Sequence, residues 1–213
     1  MGTDQLGQPF LPREGDDAVV VWEHANLFAA RRILSKAYHF WYSFDMTYYE
    51  RIFEEAIGNY GIVTSAQAKA LGVPPIELVK LAKRGRLNRI GHGVYKLDKY
   101  APTENARDAY ADALAIVGEG AYLYGPSVLA LNGLCATNPS QIYIATPRRV
   151  RKRLPVGFHL KINSPCDAIC YYDGIACEPI SAALRQSHGL IMESRLAEAE
   201  AKARAIGLMK EGE

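Results

Sequence analysis

Six basic side chains, Lys80, Lys83, Arg84, Arg86, Arg89 and Lys96, fall within the stretch from Lys80 to Lys96, which contains no Asp or Glu. Ammonium and guanidinium groups gathered this way suit phosphate oxygens, with which they form short charge-assisted hydrogen bonds. A second cluster, Arg148, Arg149, Arg151, Lys152 and Arg153, puts five cations into six positions between Pro147 and Pro155. Three readings are open for it: a second phosphate-binding patch, a surface for an acidic or RNA partner, or a solvated loop between two strands.

Other chemistry is poorly served. The chain has no phosphate-binding GxxxxGK[ST] loop, no GxGxxG, no GxSxG elbow and no HExxH. Asp173 and Glu178 resemble a nuclease carboxylate pair, but Ile180 stands where such sites commonly place a lysine beside metal-bound water. Cys166 and Cys170, with His159 or His188 as co-ligands, offer a possible zinc set, yet no CxxC pair exists. Cys135, Cys166, Cys170 and Cys177 are expected to be packing thiols. The reading is of a protein that is not an enzyme and needs no metal or cofactor.

The formal net charge is +2, so any affinity for nucleic acid depends on where charge sits. Residues 1–45 carry four basic and six acidic groups, residues 46–100 nine and five, and residues 101–213 twelve of each. The middle segment is the basic one. No run approaches the roughly 18 apolar residues of a membrane span, and the opening MGTDQLGQPFLPREGDD is polar where a signal peptide is apolar. A cytoplasmic location and no membrane partner are therefore expected.

The elements that must position the basic run begin after Met46. TYYE (47–50) is a capping box that opens a first helix, with Tyr49, Ile52, Phe53, Ala56 and Ile57 as its predicted buried face. Thr64 and Gln67 repeat the box, and Ala66, Ala70 and Leu71 are the predicted inner residues of a short second helix. Pro75 fits the first position of a third helix, whose inner face is Leu78, Leu81 and Ala82. Two strands follow, near 87–90 and 94–97, turning at Gly91-His92-Gly93.

Three helices and then a β-hairpin is the element order of a winged helix-turn-helix. On that reading Lys80, Lys83, Arg84, Arg86 and Arg89 hold a phosphate backbone. Pro75, Ile76, Glu77 and Lys80 face base edges, while Arg89, His92 and Lys96 belong to the wing. For Glu77 an ion pair with Lys80 is an equal alternative. Thr64 and Ser65 are placed for a phosphate at the start of the second helix, although capping alone explains Thr64.

The expected fold class is α+β, a winged helix-turn-helix followed by a mixed α/β C-terminal domain. Its expected parts are an N-terminal extension, partly flexible, at 1–45, a DNA-binding domain at 46–100 and an α+β effector domain at 101–213. In the last part helices are predicted over 105–117, from Pro126, over 179–186 and over 192–205, with strands at 141–146, 158–162, 168–172 and 175–180. The first of these helices is expected to bury Ala106, Ala109, Tyr110, Ala113, Leu114 and Val117.

GIVTSAQAKALGVPPIELVKLAKRGRLNRIGHGVYKL, followed by YLYGPSVLALNGLCATNPSQIYIATPRRVRKRLP, resembles the AbiEi family of antitoxins over most of residues 46–162. The marks are the G-[IV]-x-T-x-x-x-A start, the L-x-x-L-x-x-R-G-x-L core of the third helix, the G-V-Y wing strand and the later helix, strand and basic loop in that order. The resemblance implies a repressor of its own operon that binds double-stranded operator DNA with inverted repeats. It also implies the antitoxin half of a type IV pair linked to antiviral defence, opposing a nucleotidyltransferase toxin without a stable complex. Pro74 stands where family members often carry a polar cap, residues 1–45 find no counterpart, and the similarity fades beyond about residue 163. Two alternatives stand beside it: a wing-targeted nuclease or degenerate nucleotidyltransferase in the C-terminal domain, and a toxin-binding interaction module. Monomer and dimer on DNA are both open.

Overall fold

The computed structural model describes residues 46–101, 107–135, 141–166 and 168–209. The expectations for 1–45 and for Ala106 lie outside them. The described residues fall within one compact unit, Asp45–Glu213, and they form seven helices and two sheets in an α+β fold.

The first helix, α1 (Tyr48–Ile57), starts on the capping box as read: Thr47 accepts from the Glu50 backbone, and the Glu50 carboxylate accepts the Thr47 N–H at 2.7 Å. Its buried face is narrower than the periodicity predicts. Ile52 and Ala56 are fully buried, whereas Phe53 and Ile57 are exposed. Strand β1 (Ile62–Thr64) was not foreseen, because three apolar and β-branched residues ahead of a cap carry no period of their own. Helix α2 (Ser65–Ala70) begins on the Thr64–Gln67 box, and at six residues it buries Ala68 rather than the predicted Ala66 and Ala70. Helix α3 (Pro75–Lys83) has proline at its first turn and buries Leu78 and Leu81.

The hairpin β2 (Leu87–Gly91) and β3 (Val94–Leu97) pairs antiparallel, and β1 adds to β3, giving the order β1-β3-β2. Strand alternation splits this sheet's side chains between two faces. Val63, Leu87, Tyr95 and Leu97 point to the helices and share a core with Ile52, Ala56, Ala68, Val73, Leu78 and Leu81. Ile62, Val94 and Ile90 point the other way, onto Ala111 of helix α4 (Arg107–Val117). The hairpin is therefore covered on both sides.

Helix α4 also serves a second core. Its Ala113 and Val117 join Leu123, Ile144, Ile175 and Cys177 of a five-stranded mixed sheet. The strands are β4 (Tyr122–Leu123), β5 (Ile142–Ala145), β6 (Phe158–Lys161), β7 (Cys170–Tyr172) and β8 (Ile175–Cys177), in the order β6-β5-β4-β8-β7. Helices α5 (Pro126–Leu131), α6 (Ile180–Ser187) and α7 (Glu193–Ala205) contribute Val128, Leu129, Ile180, Ala183, Leu196 and Ala199 to the same core. Full burial of each Leu or Ile stabilises this core by about 1.5–3 kcal/mol. Of the residues predicted to be buried on α4, Ala109 is exposed; Asp108, Ala111 and Ile116 are buried beside Ala113 and Val117, because the helix is packed on two sides.

The two sheets are tied further at the β7–β8 turn. The Tyr60 hydroxyl donates to the Asp173 carbonyl at 2.6 Å, and the Asp173 carboxylate pairs with Arg107. Cys135 and Cys177 are buried in the C-terminal core, and Cys177 lies opposite Cys170 across the β7–β8 pair. Burial pushes the Cys177 thiol up to about 12, which keeps it protonated.

Candidate nucleic-acid interface

Helix α3 presents a single outward stripe. Ile76, Val79, Lys80 and Lys83 stand at i, i+3, i+4 and i+7, opposite the buried Leu78 and Leu81. Ile76 is 57% and Val79 38% exposed, so two β-branched side chains lie side by side on the outer face of the helix. Val79 was missed in the sequence; its three-residue spacing from Ile76 was the available signal. Pro75 is exposed at the start of the same helix.

Glu77 and Lys80 bond to each other at 2.7 Å, so the ion-pair reading is the one realised, with Lys80 half exposed and Glu77 mostly covered. Lys83 and Arg84 are exposed at the last turn of α3, where positive charge also complements the helix dipole. Arg86 lies 5.5 Å over the Tyr49 ring, and the Arg89 Nε donates to the Gly91 carbonyl at 3.2 Å; both remain exposed. Lys80, Lys83, Arg84, Arg86 and Arg89 are thus all exposed, on α3, on the turn after it and on β2.

The wing is tighter than expected. Gly91 pairs with Val94, which leaves His92 and Gly93 as the loop, with exposed His92 at its tip. Gly93 adopts φ +70°, open to glycine at little cost, and its carbonyl accepts the Ser65 N–H at 2.8 Å. A side chain at Gly91 would press on Ile116 of α4 at 3.1 Å. The loop is thus bonded to the start of α2 on one side and closely approached by α4 on the other.

Three of the predicted contacts are accounted for within the fold. Lys96 points away from the surface: its Nζ donates to both Asp112 carboxylate oxygens at 2.9 Å and lies 5.8 Å from the Tyr100 ring centroid. This corrects its assignment to the wing's phosphate face, and the reason is strand alternation, which aims position 96 at α4. Burial holds Asp112 above the usual carboxylate range, outweighing the hydrogen bond and charge of Lys96. Thr64 spends its hydroxyl on the α2 cap, and the Ser65 N–H is taken by the wing loop.

The 148–153 cluster lies elsewhere, on the connection between β5 and β6 and against the end of α4. Arg148 pairs with Glu119 at 2.7 Å, while Val150 and Leu154 pack on the C-terminal core. The carboxylates singled out as a nuclease-like pair occupy different surroundings. Asp173 sits exposed in a turn against Arg107, while Glu178 is 2% exposed and accepts from the Gly125 N–H at 2.7 Å and from Gln186. Burial raises the Glu178 pKa against the opposing pull of the Gly125 N–H, Lys161 and Arg185. Among the described residues no group of three or more His, Cys, Asp or Glu is arranged to hold a metal ion, and no helix is long and apolar enough to cross a membrane.

No curated protein is significantly similar to the chain. A family model does match, over the segment that carries the α1–α3 helices and the hairpin. Residues 50–97 match the model of the family described as transcriptional regulator, AbiEi antitoxin, and it is to that family that this segment is similar.

Proposed function

We propose that the chain is a sequence-specific DNA-binding repressor of its own operon, with α3 in the major groove and the 83–92 region on the flanking backbone. The observation that carries this reading is the α3 stripe, two exposed β-branched side chains beside two lysines on a helix whose other face is fully packed. Apolar groups of that kind meet thymine methyls, and Lys80 reaches guanine once it exchanges Glu77 for a base edge. Lys83, Arg84, Arg86 and Arg89 neutralise phosphates.

In the same reading the protein is the antitoxin of a type IV pair, opposing a nucleotidyltransferase toxin encoded beside it, without a lasting complex. Fluorescence anisotropy with the chain's own upstream DNA and a scrambled duplex tests the first part. Binding to the upstream DNA at least about a thousandfold tighter than to the scrambled duplex is expected of a specific regulator; equal binding to both rejects it. For the second part, growth rescue of cells expressing the neighbouring gene is the measurement. Rescue without co-purification supports the non-contact antitoxin, and stable co-purification favours a toxin-binding module instead.

A further inference from the structure

A cavity of about 380 Å³ opens between the end of α4 and the loop that leaves β5. It is lined by the apolar Val117 and Val150 and by the basic Arg148, Arg149, Arg151 and Lys152. Thr146, 2% exposed, fixes the entry to this loop: its hydroxyl accepts the Arg148 N–H at 3.2 Å, and its own N–H donates to the Lys161 carbonyl. The Lys152 Nζ lies 3.6 Å from where a Cβ on Gly118 would be, so the glycine leaves room for the ammonium at the cavity rim.

The charges are only partly balanced. Glu119 engages Arg148, and that pair is well exposed, at 81% and 66%. Lys152 gains from the negative end of α4. Among the described residues no carboxylate lies within ion-pair distance of Arg149, Arg151 or Lys152. Cations crowded this closely favour an anion carrying several charges in a small volume. A duplex presents its phosphates along an extended ridge, whereas an open groove of this volume lies in the roughly 300–1,000 Å³ range of small-molecule sites and matches a short anion.

We propose that this cavity binds a small oligophosphate, either inorganic or the triphosphate group of a nucleotide, as a ligand separate from DNA. Arg149, Arg151 and Lys152 grip the phosphates, and Arg148 joins them as its bond to Glu119 is exchanged for the ligand. The shared chemistry is a chain of adjacent phosphates; the apolar lining residues Val117 and Val150 give a nucleotide base or sugar an additional contact that the inorganic ion lacks.

Isothermal titration of the full chain with sodium tripolyphosphate and with ATP, at constant ionic strength, tests the proposal. Saturable one-to-one binding is expected for both, and tighter binding of ATP identifies the nucleotide as the better ligand. The double variant Arg149→Ala, Arg151→Ala is expected to weaken binding about tenfold or more through loss of two charge-assisted contacts. Glu119→Gln, which releases Arg148, is expected to strengthen it about threefold. All three positions are exposed, so unchanged melting temperatures serve as the folding control. Absence of saturation at millimolar tripolyphosphate, or equal binding by the double variant, overturns the proposal. So does displacement of tripolyphosphate by a random-sequence duplex with parallel loss of duplex affinity in the double variant, since the loop then belongs to the DNA surface.

Discussion

The placement of Lys96 makes the salt dependence of DNA binding a sharp test. Counting by sequence alone, six cations from Lys80 to Lys96 are available to phosphates. The structure removes one, because Lys96 is held by Asp112 and is only 19% exposed. With five contacts at about 0.9 counterions each, the slope of log affinity against log salt is about −4.5; with Lys80 turned to a base rather than a phosphate it is about −3.6. Raising salt from about 50 to 200 mM should therefore weaken binding roughly 150- to 500-fold. Arg84→Ala and Arg89→Ala should each make the slope shallower by about one. Lys96→Met should leave it unchanged while destabilising the fold by about 1–3 kcal/mol, because Asp112 is left in a half-buried site without its ammonium. Fluorescence anisotropy at four or more salt concentrations, with urea unfolding alongside, reads both quantities. A Lys96→Met slope shallower by one, with stability unchanged, refutes the assignment of Lys96 to the interior.

Two further outcomes follow from buried features. Gly61 has φ +74°, and an added Cβ would lie 2.5 Å from the Tyr100 ring; Gly61→Ala should destabilise the protein by about 2–5 kcal/mol, combining left-handed strain with overpacking, as measured by urea unfolding. The raised pKa of Glu178 means its stabilising contribution is complete below the ordinary carboxylate pKa and is lost as pH rises through the higher folded value. Glu178→Gln should flatten that part of the stability profile between acid and neutral pH, while Glu178→Ala should cost about 1–3 kcal/mol by orphaning the Gly125 N–H. A profile identical to the parent's in the Gln variant contradicts the assigned cause.

Local chemistry made the helix starts legible. Thr47 with Glu50 and Thr64 with Gln67 are caps that act over three residues, and both form as read. The hairpin was equally legible from its glycines, and most of the C-terminal helices and strands from their apolar runs. What escaped was set by contacts distant along the chain. Tyr122 and Leu123 form the central strand of the larger sheet, yet two residues have no measurable period. Lys96 reads as a wing cation until its partner Asp112, sixteen residues on, is brought opposite it. Helix α4 has no clean amphipathic stripe because it serves two cores, and a one-sided template picks the wrong alanine in Ala109. On the proposed interface, Pro75, Ile76 and the exposed Arg and Lys residues are legible from sequence; Val79 has only its three-residue spacing from Ile76 to mark it, a signal that becomes decisive once Leu78 and Leu81 are seen to fill the other side of α3.

The hydrogen bond from the Ser65 N–H to Gly93, and the close approach of Ile116 to Gly91, bear on how the proposed DNA reader would meet its target. A hairpin that is rigid before encounter spends little conformational entropy on docking, so capture need not wait for a loop to organise. On the proposed function, accommodation then falls to the nucleic acid, whose local groove width and stiffness become part of what is selected.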